Sequence, residues 1–132
     1  MSLTPYSGVI ANSHDGSHDG QGEPTARSGL VEHITPEFAS AVARLIDSGA
    51  SYFFQIRFVG GVVQDVDPDA TAYAGLSADC SVVAFGANRT GLNAEWDKLH
   101  DHFNGLYLSS ETDLDPERID DVFRPATLAR LR

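Results

Sequence analysis

The stretch SYFFQIRFV at 51–59 alternates with period two, the repeat of an extended chain whose side chains point to opposite faces. Tyr52, Phe54, Ile56 and Phe58 fall on one side; Phe53, Gln55, Arg57 and Val59 fall on the other. A strand with one apolar side has to bury it, so the pattern demands a sheet with a core on one face. Phe54, Ile56 and Phe58 are expected beneath helices, with Gln55 and Arg57 on the opposite face. Gly60-Gly61 follow at once and mark a bulge or a close backbone approach.

The rest of the chain supplies partners for that strand. PYSGVIA (5–11) reads as a short strand, and 12–29 as a flexible loop, glycine-rich and too polar for a core. TPEFASAVARLIDSGA carries helix punctuation: Thr35 as N-cap, Pro36 in the first turn, Gly49 as terminator. Phe38, Val42, Leu45 and Ile46 form its apolar stripe. A strand is expected over 61–66, a turn at Asp67-Pro68-Asp69, and a buried strand in CSVVAFGA (80–87). A second helix spans 91–104, capped by Thr90 or Asn93, with Trp96, Leu99, His100 and Phe103 on one face. GLYLSSE (105–111) reads as a strand that sets Tyr107, Ser109 and Glu111 on one side. Asp115-Pro116 opens a third helix with Ile119, Val122 and Phe123 inward, and Pro125 interrupts it. The final helical turns stop at Arg132 without cap or terminator, which reads as a truncated chain. The expected class is α+β: one domain over 1–132, an antiparallel sheet with helices packed on one face.

Charge narrows the partners. Nine basic residues stand against nineteen acidic ones, a net −10 that repels phosphates and anionic lipid heads, so neither nucleic acid nor a membrane surface is expected. No apolar run approaches the roughly 20 residues of a membrane helix, and no basic-then-apolar leader is visible. Cys80 is the single cysteine and excludes an internal disulfide, in keeping with a cytoplasmic location. HDGSHDG (14–20) invites a metal reading, but the calcium-loop pattern from Asp15 has Ala26 where a bidentate glutamate belongs. His14 and His18 sit among glycines without a cysteine, so a solvated loop is expected and no metal. His100 and Cys80 read as core residues. No phosphate loop, dinucleotide fingerprint or nucleophile elbow is present.

The order QIRFVGGVVQDVDPDATAYAG, GLYLSSETD and DPERIDDVFRPATLARLR, preceded by PYSGVIANSHDG, resembles the substrate-domain portion of berberine-bridge-enzyme-like FAD-linked oxidases. The resemblance covers about the whole chain. It implies an antiparallel sheet lying over the isoalloxazine ring of FAD, which a separate flavin domain of the same polypeptide holds. It also implies a small-molecule substrate whose hydride passes to the flavin. Two departures stand out. Family members commonly carry Tyr-x-Asn where this chain has Tyr107-Leu108-Ser109, and Phe-x-His-Arg where it has Tyr73-Ala74-Gly75-Leu76.

From the alternation and the resemblance together, Gln55, Arg57, Tyr107, Ser109 and Glu111 are the candidate substrate- or flavin-facing residues; the catalytic base is not assigned. The isolated chain is expected to be colourless and inactive, and to self-associate as a homodimer where its exposed sheet is partly apolar. The competing expectation is a stand-alone α+β ligand-binding or dimerisation module without catalysis.

Overall fold

The computed structural model describes residues 24–67, 70–71, 75–113, 115–123 and 125–131. The strand expected at 5–11 and the His14/His18 loop lie outside the described residues, as does part of the turn at 67–69. The described chain is α+β, with an antiparallel three-stranded sheet in the order β1 (Thr25–Val31), β3 (Cys80–Gly86), β2 (Phe53–Phe58).

Helix α1 (Pro36–Asp47) begins where the sequence says it should. The Thr35 hydroxyl accepts from Phe38 N at 3.2 Å, and Gly49 ends the helix with φ 70°, a left-handed value that glycine adopts without strain. Phe38, Ala41, Val42 and Leu45 are buried. Ile46 is not; it lies one residue past the edge of the stripe and is 49% exposed. Helix α2 (Arg89–Trp96) takes its cap from Asn88, whose side-chain oxygen accepts from Gly91 N at 3.0 Å, rather than from Thr90 or Asn93. It tightens into a 3₁₀ segment at Asp97–His102, which turns His100 out to solvent and leaves Trp96 and Leu99 inside.

The core is built on one face of β3. Cys80, Val82 and Ala84 meet Phe38, Val42 and Leu45 of α1 and Leu92 and Trp96 of α2. Each large side chain buried here contributes about 1.5–3 kcal/mol. Phe103 stacks on Trp96, with centroids 5.0 Å apart, and its ring lies directly over Gly29. A Cβ at Gly29 would come within 2.4 Å of that ring.

Five further expectations need correction. Residues 25–29 are not loop but the first part of β1, buried along its whole length. Hydropathy misleads there because the polar side chains of Arg27 and Ser28 are buried with partners. In β2 the two faces are as expected: Phe54 and Ile56 pair beside the core residues Ala84 and Val82, and Gln55 and Arg57 lie beside Val83 and Ser81. Only Phe54 is packed on the core, however; Ile56 is 39% exposed and Phe58 80%, because β2 is an edge strand and the helices stop short of its end. Residues Val62–Asp65 form a 3₁₀ turn rather than a strand, since Gly61 (φ 90°) redirects the chain.

The segment 105–111 is not a regular strand either. It runs along the outer edge of β1, pairing at Leu30 with Gly105 and again where Thr112 N donates to Ala26 O at 3.0 Å. Between these points the Ser28 hydroxyl and the Glu111 carboxylate replace backbone partners, and Leu108–Ser110 bow out as a 3₁₀ turn. Pro116–Asp121 is also 3₁₀, with Ile119 40% exposed rather than inward and Val122 and Phe123 half-buried. Helix α3 (Pro125–Leu131) follows.

Candidate functional site

The strand geometry of β2 sets Gln55 and Arg57 two residues apart on the face away from the helices. There Arg57 Nε donates to Gln55 Oε1 at 2.7 Å, which fixes the guanidinium relative to the amide. Phe53 precedes them on the same face and packs against Phe85 of β3, centroids 5.5 Å apart. The three side chains make a short platform: an exposed aromatic ring, an amide and a fixed cation.

Glu111 belongs to a different structure. Its side chain is 2% exposed, and both oxygens are committed. Oε1 lies 3.3 Å from Arg27 Nε and accepts from Asp113 N; Oε2 accepts from Ser28 N at 3.2 Å and lies 3.4 Å from Arg118. Arg27, 5% exposed, also donates to Asn93 Oδ1 at 2.9 Å and pairs with Asp113 at 3.3 Å. Burial pushes the Arg27 pKa below the usual guanidinium value; Glu111, Asp113 and Asp97 push it up, and Arg118 adds to the lowering. The cluster joins β1, α2 and the 111–118 segment behind a cleft of about 510 Å³, lined also by His100, Asn104 and Asp120. Glu111 thus has no oxygen left to offer a substrate, and the expectation that it faces one is corrected. It is a clasp.

Tyr107 and Ser109 lie on the segment along the β1 edge, and Gln55 and Arg57 on the opposite edge strand. With β1 and β3 between them, the structure does not bring the five candidates into one site. Tyr107 is 40% exposed, and its backbone exchanges hydrogen bonds with the Ser28 hydroxyl.

A further polar cluster closes the other end of the sheet. His33 Nδ1 donates to Asp79 Oδ2 at 2.8 Å, and Gln64 Nε2 donates to Asp79 Oδ1 at 2.8 Å, tying the 62–65 turn to the start of β3. The hydrogen bond to Asp79 raises the His33 pKa, and the same bond lowers that of Asp79. Burial pushes the Cys80 thiol up, as expected of an inert core cysteine.

Sequence reasoning missed Arg27, Asn93, Asp113 and Arg118. One signal was available: Glu111, Asp113 and Asp115 recur with period two, and Arg27 is the only Lys or Arg in the stretch 12–29. Among the described residues no group of three or more His, Cys, Asp or Glu is placed to hold a metal ion. No described helix is long and apolar enough to cross a membrane. Neither a comparison with known protein families nor a search of curated proteins gives a match.

Proposed function

We propose that residues 1–132 form the substrate-side part of an FAD-dependent oxidoreductase of the berberine-bridge-enzyme-like kind. In this reading the flavin is held by a domain outside these residues. One observation carries the reading beyond the resemblance in motif order: the Phe53/Gln55/Arg57 platform, open on β2 at the end of a sheet face that is buried over β1 and β3. A flat aromatic and a fixed cation with an amide are suited to a planar ring and a polar small molecule laid against a sheet. FAD, when bound, supplies hydride acceptance; this chain binds and orients the substrate. Gln55 fixes the Arg57 guanidinium, and Arg57 meets the substrate's polar group. Tyr107 is a further candidate contact.

The test is steady-state oxygen consumption by the complete polypeptide that carries this sequence. Arg57→Ala and Gln55→Ala are expected to raise KM at least tenfold, with Glu111→Gln altering stability instead. Full turnover in both β2 variants would remove the assignment of the platform. The alternative, a stand-alone dimerisation module without catalysis, draws on the open outer edge of β2.

A further inference from the structure

We propose that β2 is also a self-pairing edge, at which two copies of this chain join antiparallel to make one continuous six-stranded sheet. The inference is independent of the flavin reading, because edge pairing lies in the plane of the sheet and leaves the Gln55/Arg57 face open.

Backbone direction comes first. Val59 N donates to Asp79 O, and the β2–β3 register pairs Phe53 with Phe85 and Arg57 with Ser81. Odd-numbered residues of β2 therefore turn their backbone groups to β3, and Phe54, Ile56 and Phe58 turn theirs outward. Among the described residues nothing pairs with that outer row. The 3₁₀ turn that follows is drawn back toward β3 by Gln64, which donates to Ser77 O and Asp79, so it does not shield the edge.

Side chains then select the partner. An antiparallel pairing centred on Ile56 sets Ile56 opposite Ile56 of the second copy, and Phe58 opposite Phe54 of the second copy. That covers Phe58, 80% exposed, and Ile56. On the other face the same register places Gln55 opposite Arg57 of the second copy, an amide against a cation. Sliding two residues toward the C-terminal end would set the two Arg57 side chains against each other, so like charge disfavours that register.

Long-range charge also points to this edge. Two chains of net −10 repel, yet no acidic residue lies between Asp47 and Asp65, and Arg57 is the single charge in that interval. The edge also lacks the inward charges and prolines by which edge strands avoid pairing.

Sedimentation velocity of residues 1–132 across a hundredfold concentration range tests the proposal, beside three variants. Ile56→Pro removes an outward N–H and leaves the β3 ladder intact. Ile56→Lys opposes two cations at the centre of the interface. Phe53→Asp alters only the open face. Folding of each is checked by circular dichroism. The expected result is a dimer for the parent chain and Phe53→Asp, with at least tenfold weaker association for folded Ile56→Lys and Ile56→Pro. A parent chain that stays monomeric overturns the proposal. So does a dimer indifferent to Ile56→Lys, or one lost in Phe53→Asp. Slow exchange of the Phe54, Ile56 and Phe58 amides in a monomer would mean that the chain's own residues cover the edge, which also overturns it.

Discussion

At the scale of single residues, buried charge in this chain is structural. Arg27 is almost wholly enclosed, and its removal leaves Glu111 buried with Arg118 as its remaining cation. Arg27→Met is therefore expected to cost about 3 kcal/mol, read as a lower denaturant midpoint with unchanged slope. A loss below about 1 kcal/mol would mean that the clasp is not a determinant of stability. His33 behaves differently because it is exposed. Its raised pKa means that its contribution is fully present below about 6.5 and fades as pH rises through the higher native value. Asp79, lowered, contributes above about 3.9 and loses it as pH falls through its native value. The pair thus contributes most between about 3.9 and about 6.5. NMR titration should place the His33 midpoint above that of an unpaired histidine, and Asp79→Asn should return it. An unchanged midpoint in the variant would contradict the hydrogen bond as the cause.

At the scale of elements, what could be read from the sequence depended on how each segment satisfies its polar groups. Helix α1 was legible because cap, proline and apolar stripe all act within a few residues of one another. Strand β3 was legible because an apolar run of seven residues has to be buried. Strand β1 was not. Its Arg27 and Ser28 meet partners 66 to 86 positions away, and local composition carries no trace of such partners. In β2 the alternation revealed which residues share a face, but not that the strand would be an edge, since strand order depends on the whole topology. The candidate residues show the same division: that Gln55 and Arg57 share a face follows from local alternation, whereas Glu111, expected to face substrate or flavin, is held inside by distant partners. The contrast is measurable. Leu45→Ala should cost about 2–5 kcal/mol, while Phe58→Ser in dilute protein should cost less than about 0.5 kcal/mol. Comparable losses would mean that the end of β2 is covered. Gly29→Ala should cost about 1–3 kcal/mol by displacing Phe103 from Trp96, visible as a change in tryptophan fluorescence.

At the scale of the whole molecule, helices seal one face of the sheet around Cys80, Val82 and Ala84, and the other face carries an aromatic and cationic platform on its edge strand. Over β1 and β3 that other face is closed as well, with Ala26, Ser28, Leu30, Ser81 and Val83 buried, so what stays open toward a ring, a substrate or a second domain is the β2 strand. The visible absorption spectrum decides the matter most directly, recorded on purified residues 1–132 and on the complete polypeptide that carries them. The expected result is a colourless 1–132 chain and a yellow complete polypeptide with one flavin per chain, bleached by substrate in the absence of oxygen and restored by air. A complete polypeptide without flavin, or stoichiometric flavin bound by residues 1–132 alone, would contradict it.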